Sequence, residues 1–429
     1  MIDNAKFQQL KEAIIAGNIP QLALMMISLA LDMRASDIHI EPEEKLIRIR
    51  YRIDGSLQKI VEYPPNIHPA VISRIKIMSN LKIDEQRIPQ DGRCQVTSKD
   101  NREMDLRVST FPTVNGEKVV MRIQDKSRKI PDVTEIGLDG NNYTYLMEGL
   151  DSPNGIILTS GPTGSGKTTT LYTCLNKINT EDVNILTIED PVEIQMDGLS
   201  QSQVHHDIQY DFAMGMRAAL RQDPDIIMVG EIRDHETVDI AIEASLTGHL
   251  VLSTIHTNSA VETLTRIENM DIPEFLVAST IEVIIAQRLV RKLCQSCKQP
   301  APIDTGTDTN ASASALRAQI DKALAGGVEA KFPQMDKALL AGKAFFVPKG
   351  CDQCNNIGYF GRIAIYEVLR MNNEIRRLIL EKAPSVQIEK AAIKLGMITL
   401  EQDGLVKCLK GITSLEEVYA VARKVEEYV

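Results

Sequence analysis

The spacing of hydrophobic residues changes along the chain, and each spacing predicts a different kind of element. Residues 7–34 carry apolar residues at helical intervals, interrupted by a glycine and a proline, which predicts short helices. From residue 36 the period becomes two, and apolar side chains alternate with Arg48, Arg50 and Arg52 ahead of an Asp-Gly turn. Such alternation is typical of a half-buried hairpin strand. We therefore interpret the three arginines as the solvent-facing side of that strand.

A small first domain is predicted from these elements and the segments that follow. The next segments predict one helix and then three strands, at 71–81, 94–98, 102–110 and 117–123. Together with the preceding helices, the strands predict an α+β domain over residues 1–125. The polar residues 126–137 are predicted to form a linker.

The remainder of the chain has a different pattern, in which short apolar segments alternate with helical ones. The strand-like segments are 155–160, 184–188, 225–230 and 249–254. Apolar strands separated by helices are typical of a parallel sheet covered on both faces. We predict an α/β domain over residues 138–429, with C-terminal helices over 367–429 and an inserted, partly helical loop at 301–344.

Composition is that of an ordinary globular protein and narrows the range of partners. The 429 residues are 43% hydrophobic and 25% charged, and such a length suits roughly two to four domains. The formal net charge of −10 makes a specific nucleic-acid partner unexpected. The sequence lacks an apolar run of about 18 residues and a basic-then-apolar leader. A cytoplasmic protein is therefore expected.

A phosphate-binding loop is the clearest chemical motif. Residues 161–168 read Gly-Pro-Thr-Gly-Ser-Gly-Lys-Thr and match G-x-x-x-x-G-K-[ST] at every fixed position. A strand, a glycine turn and a helix N-terminus direct backbone N–H groups at one polyphosphate. We predict that Lys167 reaches the β- and γ-phosphates of ATP and that the Thr168 hydroxyl holds Mg²⁺. The predicted nucleotide-binding residues are Gly161, Pro162, Thr163, Gly164, Ser165, Gly166, Lys167, Thr168 and Thr169.

Polar residues also stand at the ends of three other apolar strands. One strand ends at Glu231, another at an acidic segment that includes Glu193, and a third is flanked by His249 and His256. The carboxyl ends of parallel strands gather at one edge of a sheet. P-loop ATPases place at that edge the carboxylate that organises Mg²⁺ or the attacking water.

Two arginines are placed by a hairpin signal, Asn115-Gly116. If these residues form a two-residue turn, Ser109 faces Arg122, and Arg107 is the diagonal neighbour of Arg122 on the same face. Two cations so placed repel unless an anion lies beside them. Either an ATP phosphate contacts both, as in an arginine finger, or both are solvated.

Four of the seven cysteines form two C-x-x-C pairs, Cys294 with Cys297 and Cys351 with Cys354. Four thiolates suit tetrahedral Zn²⁺ in a closed structural site, whereas a redox dithiol needs one pair only. Because thiol ligands of this kind persist in reducing compartments, the pairs also agree with a cytoplasmic location. We predict a zinc-binding subdomain over residues 288–366.

With these features assembled, the sequence resembles the secretion ATPase superfamily, and within it the type II secretion and type IV pilus assembly ATPases. The resemblance runs from about Ala35 to the C-terminus and includes the phosphate loop, Glu231, the two histidines and the four cysteines. The other matching segments are 35–42, 87–93, 105–109, 116–122 and the acidic segment 188–193.

The resemblance implies a hexameric motor in which a smaller, PAS-like N-terminal domain is hinged to a RecA-like ATPase domain. It implies docking on the cytoplasmic side of a polytopic inner-membrane platform protein, together with cytoplasmic assembly proteins, to build a pilus or drive secretion. Glu231 is the leading candidate for polarising water, with Glu193 as the alternative. The other catalytic positions that the resemblance implies are Lys167, Arg107, Arg122, Arg217, Arg221, Arg233, His249 and His256.

Some features favour one branch of the family over others. Retraction ATPases lack the cysteine pairs, so the assembly and secretion branch is favoured. Members usually carry a further N-terminal domain, which we expect this chain to lack. A DNA-transfer ATPase of the same superfamily is the first alternative, disfavoured by the cysteine pairs and the negative charge. A non-hydrolysing, nucleotide-gated scaffold is the second, disfavoured by the acids and arginines.

Overall fold

The computed structural model describes residues 4–97, 103–125, 129–302 and 344–422. Two compact units make up the chain: Met1–Lys129 with Gly350–Gly361, and Ile130–Lys349 with Arg362–Val429. Within the described ranges, no helix combines the length and the apolar character needed to cross a membrane.

The first unit is a single antiparallel sheet covered by helices on one face. Its helices are α1 (Asn4–Ala16), α2 (Ile19–Asp32) and α3 (His68–Met78). Its strands are β1 (Ala35–Pro42), β2 (Ile47–Ile53), β3 (Ser56–Tyr63), β4 (Gln90–Thr97), β5 (Glu103–Thr113) and β6 (Gly116–Asp125). They pair in the order β3-β2-β1-β6-β5-β4, which confirms each predicted strand with small changes of boundary.

Strand β2 has the predicted two-faced character. Its isoleucines and its tyrosine are buried in the core against α2 and α3. The arginines lie on the opposite face, where Arg50 contacts Glu41 at 2.6 Å and Arg48 contacts Glu43 at 2.8 Å. Neighbouring carboxylates therefore offset the charges of these arginines, in addition to their exposure to solvent. This polar face of the sheet carries little net charge as a result.

The predicted register of the β5–β6 hairpin is wrong by one residue on each strand. Thr113 pairs with Gly116, so the turn residues are Val114 and Asn115. The Thr113 hydroxyl closes this turn, because it donates to the Gly116 carbonyl at 2.6 Å and accepts from the Asn115 N–H at 3.3 Å. Side-chain closure of this kind competes with the turn that Asn-Gly alone would select.

The second unit is built on a sheet with helices on both faces. Its first helices are α4 (Gly140–Leu150), α5 (Lys167–Ile178), α6 (Phe212–Ala219), α7 (His235–Leu246), α8 (Ala260–Glu268) and α9 (Glu274–Thr280). Its strands are β7 (Gly155–Ser160), β8 (Ile185–Glu189), β9 (Leu199–Gln203), β10 (Ile226–Val229), β11 (Leu250–Ile255) and β12 (Ile281–Leu293), followed by β13 (Gln299–Pro302), β14 (Ala344–Val347) and β15 (Tyr359–Arg370).

The order of the large sheet is β15-β12-β7-β11-β10-β8-β9, and all pairs from β12 to β9 are parallel. This confirms the predicted α/β architecture and its four apolar strands. Separate apolar cores fill the two faces of the sheet. Because parallel strands share one direction, the residues that follow β7, β8, β10 and β11 lie at a common edge.

The last part of the chain that the structure describes is helical, as predicted, and contains α10 (Asn373–Leu380), α11 (Ser385–Lys394), α12 (Leu400–Leu409) and α13 (Leu415–Val421). The predicted partly helical loop falls almost entirely outside the described residues. Its two flanks, β13 and β14, pair with each other antiparallel.

A buried ion pair fastens α12 to β15. Asp403 contacts Lys407 at 2.6 Å, and their side chains are 2% and 5% exposed. Asp403 also accepts the Tyr366 N–H at 2.7 Å, while Lys407 donates to the Ala364 carbonyl at 2.7 Å. Burial raises the pKa of Asp403 and lowers the pKa of Lys407, and their mutual attraction opposes both shifts. Each charge is thus satisfied by the other and by the backbone of β15.

Candidate active site

The phosphate loop lies between β7 and α5, as the sequence predicts. The helix begins at Lys167, and Gly166 precedes it with a φ of 91°, which an L side chain adopts only with strain. At Gly161 a Cβ would lie 2.5 Å from the Ser165 hydroxyl. Glycine is therefore required at both ends of the loop, where the backbone turns tightly around the predicted phosphate-binding site.

Lys167 is folded back into this loop. Its Nζ donates to the carbonyls of Gly161 at 2.8 Å and Pro162 at 3.3 Å. Burial lowers the pKa of Lys167, the charge of Glu231 opposes that shift, and Arg288 adds to it. A phosphate bound in the loop would therefore replace these two carbonyls as the partner of the Lys167 ammonium.

Glu231 lies just beyond β10 and is the centre of a charged cluster. Its carboxylate forms an ion pair with Arg233, and its Oε2 lies 3.3 Å from Nε2 of His256. The Glu231 side chain is 15% exposed, and the ion pair raises the pKa of Arg233. Glu231, Arg233, His256 and Lys167 are thus brought together at the carboxyl edge of the parallel strands.

The acidic segment after β8 has a structural carboxylate that the sequence analysis did not distinguish. Glu189 is 2% exposed and accepts hydrogen bonds from Tyr172, from Thr187 at 2.6 Å and from Gln201 at 3.1 Å. Its oxygens are occupied by these neutral donors. Glu189 therefore holds the segment together and is not the acid available for catalysis.

Tyr172 of α5 is a positioning residue that the sequence analysis missed. Its hydroxyl donates to Glu189 and accepts the backbone N–H of Glu193 at 3.2 Å and of Ile194 at 3.4 Å. Burial and the adjoining carboxylate raise the pKa of Tyr172, so the phenol keeps its proton. The sequence does contain a signal for this residue. Tyr172 follows Lys167 by about one and a half turns of the same helix, which directs its side chain toward the neighbouring strand β8.

The other predicted residues of the second unit have different surroundings. Glu193 is exposed at the end of the acidic segment. His249 precedes β11 and contacts the Ala244 carbonyl at 2.9 Å, so it lies at the edge of the sheet opposite to His256. Arg217 contacts Glu236 at 2.5 Å. Arg221, one helical turn later, donates to the carbonyl of Arg217 at 2.6 Å.

The two arginines of the first unit are directly opposite each other. In the observed register Arg107 pairs with Arg122 across β5 and β6, and with Arg93 across β5 and β4. On its other side Arg122 donates to Asp37 at 3.0 Å. We call Arg93, Arg107 and Arg122 the arginine row. The corrected register makes these cations closer neighbours than the sequence analysis expected.

The cysteine pairs converge, as the sequence predicts. The sulfurs of Cys294, Cys297, Cys351 and Cys354 all lie within 4.8 Å of one another. Cys354 Sγ accepts the N–H groups of Gly358 at 3.1 Å and of Cys351 at 3.2 Å, and such bonds favour a thiolate. All seven cysteines lie within the described ranges, and none of them forms a disulfide. Four soft ligands at these separations fit a tetrahedral metal ion.

Comparison with known proteins agrees with this geometry. The chain matches the family described as Type II/IV secretion system protein over residues 12–420. It is 44% identical to the type IV pilus assembly ATPase PilB of Myxococcus xanthus, over 97% of this chain and 70% of the relative. It is 43% identical to the type II secretion system protein E of Aeromonas hydrophila, over 95% of this chain and 76% of the relative.

A solved structure supports the same assignment of fold. The crystal structure of the pilus retraction motor PilT with bound ADP has a TM-score of 0.58 and 25% identity, covering 94% of this chain and 97% of that one. The chain spans from 64% to 76% of the length of the curated relatives compared. The predicted P-loop fold is confirmed, while the PAS-like character of the first unit stays a prediction. The chain belongs to the Type II/IV secretion system protein family and is a secretion ATPase.

Proposed function

We propose that this protein is a motor that hydrolyses ATP to ADP and phosphate to power type IV pilus assembly or type II secretion. The observation that carries the proposal is the cluster of Glu231, Arg233 and His256 at the edge of the sheet that also bears Lys167. A carboxylate near the phosphate loop is the group that P-loop ATPases need to organise Mg²⁺ or the attacking water. The printed names of the relatives supply the process.

The residues of the site fit the parts of phosphoryl transfer. The N–H groups of the loop and Lys167 bind the phosphates in this proposal, and the Thr168 hydroxyl is the proposed ligand of Mg²⁺. When bound, Mg²⁺ supplies positive charge that offsets charge developing on the phosphate oxygens. Glu231 polarises the attacking water, with Glu193 as the alternative. Arg217, Arg221 and Arg233 are proposed to serve the same site.

We propose a homo-hexamer in the cell, at the cytoplasmic face of the inner membrane. Its partners are a polytopic platform protein and associated cytoplasmic assembly proteins, the setting that the family implies. Co-purification of a polytopic inner-membrane protein with the full chain tests this part of the proposal. Recovery of the chain from cells without such a protein contradicts it.

The arginine row is the reason for proposing a ring of subunits. Arg107 and Arg122 lie directly opposite each other across the hairpin, and Arg122 also donates to Asp37. Two adjacent guanidinium groups favour an anion beside them, and an ATP phosphate is the anion proposed for this place during catalysis. The row is thus proposed to act as an arginine finger.

Replacing Arg107 or Arg122 with alanine is expected to lower ATP turnover at least about tenfold, because transition-state charge loses a cationic partner. Nucleotide binding should change little. The measurements are steady-state phosphate release and ADP affinity, with Arg48→Ala as the control on the same sheet face. Specific activity of the parent should rise with protein concentration. Full activity in a monomer by light scattering, independent of concentration, rules out the ring.

We propose that the four cysteines hold one structural Zn²⁺. Four thiolates leave no coordination position for water, so the metal has no catalytic role. Its function is to join the two ends of the segment between Cys297 and Cys351, which has few large apolar residues. The ion therefore supplies folding energy that this segment lacks.

Elemental analysis of protein purified without added metal should find one zinc per chain. Cys351→Ser should lose the zinc and lower the thermal stability, while the affinity for ADP is kept because no residue of the phosphate loop is a zinc ligand. Cys94→Ser is the control, since Cys94 lies on β4 and is not one of the four clustered cysteines. Zinc-free parent protein, or disulfides under reducing conditions, contradicts the assignment.

A further inference from the structure

Gln287 is a buried side chain that contacts the phosphate loop from the neighbouring strand. It lies on β12, directly after Ala286, which pairs with Ser160 of β7. Its side chain is fully buried. The Nε2 donates to the Ser165 carbonyl at 2.7 Å, and the Oε1 accepts from the Thr170 hydroxyl at 2.8 Å. One amide therefore bridges the loop and the first turn of α5.

The bond to Ser165 determines the direction of a backbone N–H. A trans peptide unit is planar, so the Ser165 carbonyl and the Gly166 N–H point in opposite directions. Because Gln287 holds the carbonyl on the side of β12, the Gly166 N–H points away from β12. N–H groups on the inner side of such a loop are the ones that bind phosphate.

We propose that Gln287 is a positioning residue for the nucleotide, which keeps the Gly166 N–H directed at the bound phosphate. The proposal rests on the nucleotide-binding function proposed above and adds a residue that acts through the backbone. Gln287 touches the loop and not the ligand. Its loss should weaken nucleotide binding without removing any group that contacts phosphate.

Gln287 is itself held firmly against the loop. Its carbonyl accepts a hydrogen bond from Nη1 of Arg288 at 3.0 Å, and Nη2 of Arg288 donates to the Asn258 carbonyl, also at 3.0 Å. A Cβ at Gly161 would lie only 2.7 Å from the Gln287 carbonyl oxygen. The backbone of β12 is thus fixed on both sides, so the position of the amide is set by the fold.

The chemistry of the amide is specific. It presents one donor and one acceptor at separate atoms and carries no charge. Methionine has a similar length but would leave the Ser165 carbonyl and the Thr170 hydroxyl buried without this partner. Glutamate would still accept from Thr170, but its second oxygen would repel the Ser165 carbonyl until it is protonated. A protonated carboxyl again offers a donor.

Gln287→Glu therefore gives a test that depends on pH. Burial raises the pKa of a carboxyl in such a place, so protonation falls within reach of ordinary buffers. At pH 8 the affinity for a fluorescent ADP analogue should fall at least about tenfold. At pH 6 most of this loss should be regained, relative to wild type at the same pH. Gln287→Met should lose a similar factor at both pH values.

The control is Asn142→Asp, another buried amide whose Nδ2 donates to a backbone carbonyl, that of Tyr366 at 3.1 Å. It should bind the analogue as wild type does at both pH values. Wild-type affinity for Gln287→Glu at pH 8, or a loss that persists at pH 6, overturns the proposal. Wild-type protein that fails to bind the analogue contradicts the proposed function instead.

Thermal unfolding without nucleotide shows whether each variant is folded. If Gln287→Glu does not fold, Gln287→Met and Thr170→Val decide the matter, since each removes part of the same bridge. Weaker binding by at least a factor of about five in both supports the proposal. Unchanged affinity in both overturns it.

Discussion

Lys167→Ala should abolish ATP hydrolysis. The ammonium is the side-chain charge proposed to contact the β- and γ-phosphates, and the carbonyls of Gly161 and Pro162 already position it against the loop. Loss of one preorganised cation or donor at a transition state costs roughly a hundred- to a thousandfold in rate. Phosphate release at saturating Mg²⁺-ATP measures the effect, which should reach the background of the assay.

Lys177→Ala is the matched control, because Lys177 lies on the same helix, in its last turn, and is exposed. It should keep parental turnover. The fold of Lys167→Ala should also remain intact, since no described carboxylate forms a direct ion pair with Lys167. A Lys167→Ala enzyme that turns over like the parent contradicts the assignment of the phosphate loop.

Glu231→Gln should bind ATP but hydrolyse it slowly. The substitution keeps the shape of the side chain and removes the carboxylate that is proposed to polarise water. Loss of general base catalysis costs roughly a hundred- to ten-thousandfold. Single-turnover hydrolysis separates this step from binding, and a nucleotide titration should give an affinity close to that of the parent.

The comparison that decides the role is Glu193→Gln. Glu193 is exposed, and its backbone N–H is bound by Tyr172, whereas Glu231 contacts both Arg233 and His256. We expect Glu193→Gln to retain most of the turnover. Parental turnover in Glu231→Gln combined with a slow Glu193→Gln would transfer the water-polarising role to Glu193.

Much of the fold and the phosphate site could be predicted because their determinants are local in sequence. The four buried strands of the parallel sheet appear as short apolar segments, and the loop before Lys167 carries its own glycines and helix start. Elements of this kind depend on neighbouring residues and on a single period. The observed boundaries of these elements differ from the predicted ones by one to a few residues.

Features that depend on distant partners could not be predicted in the same way. The carboxylates of Glu189 and Glu231 look alike in sequence, and only the contacts of Tyr172 and Gln201 show that Glu189 is structural. The hairpin register followed the Thr113 hydroxyl, which the Asn-Gly signal does not include. Gln287 belongs to a strand that the sequence analysis did not predict, and its contact with the loop exists only because β12 pairs with β7.

The buried pair of Asp403 and Lys407 has a consequence for how these sequences diverge. Replacing either partner alone leaves an isolated charge in the core, at a cost of roughly 3–5 kcal/mol, while replacing both by apolar residues is close to neutral. A single-nucleotide change alters only one of the two residues, so each first step toward a double replacement is a destabilised variant. The two positions should therefore be inherited together over long periods and, where they do change between descendants, change as one unit.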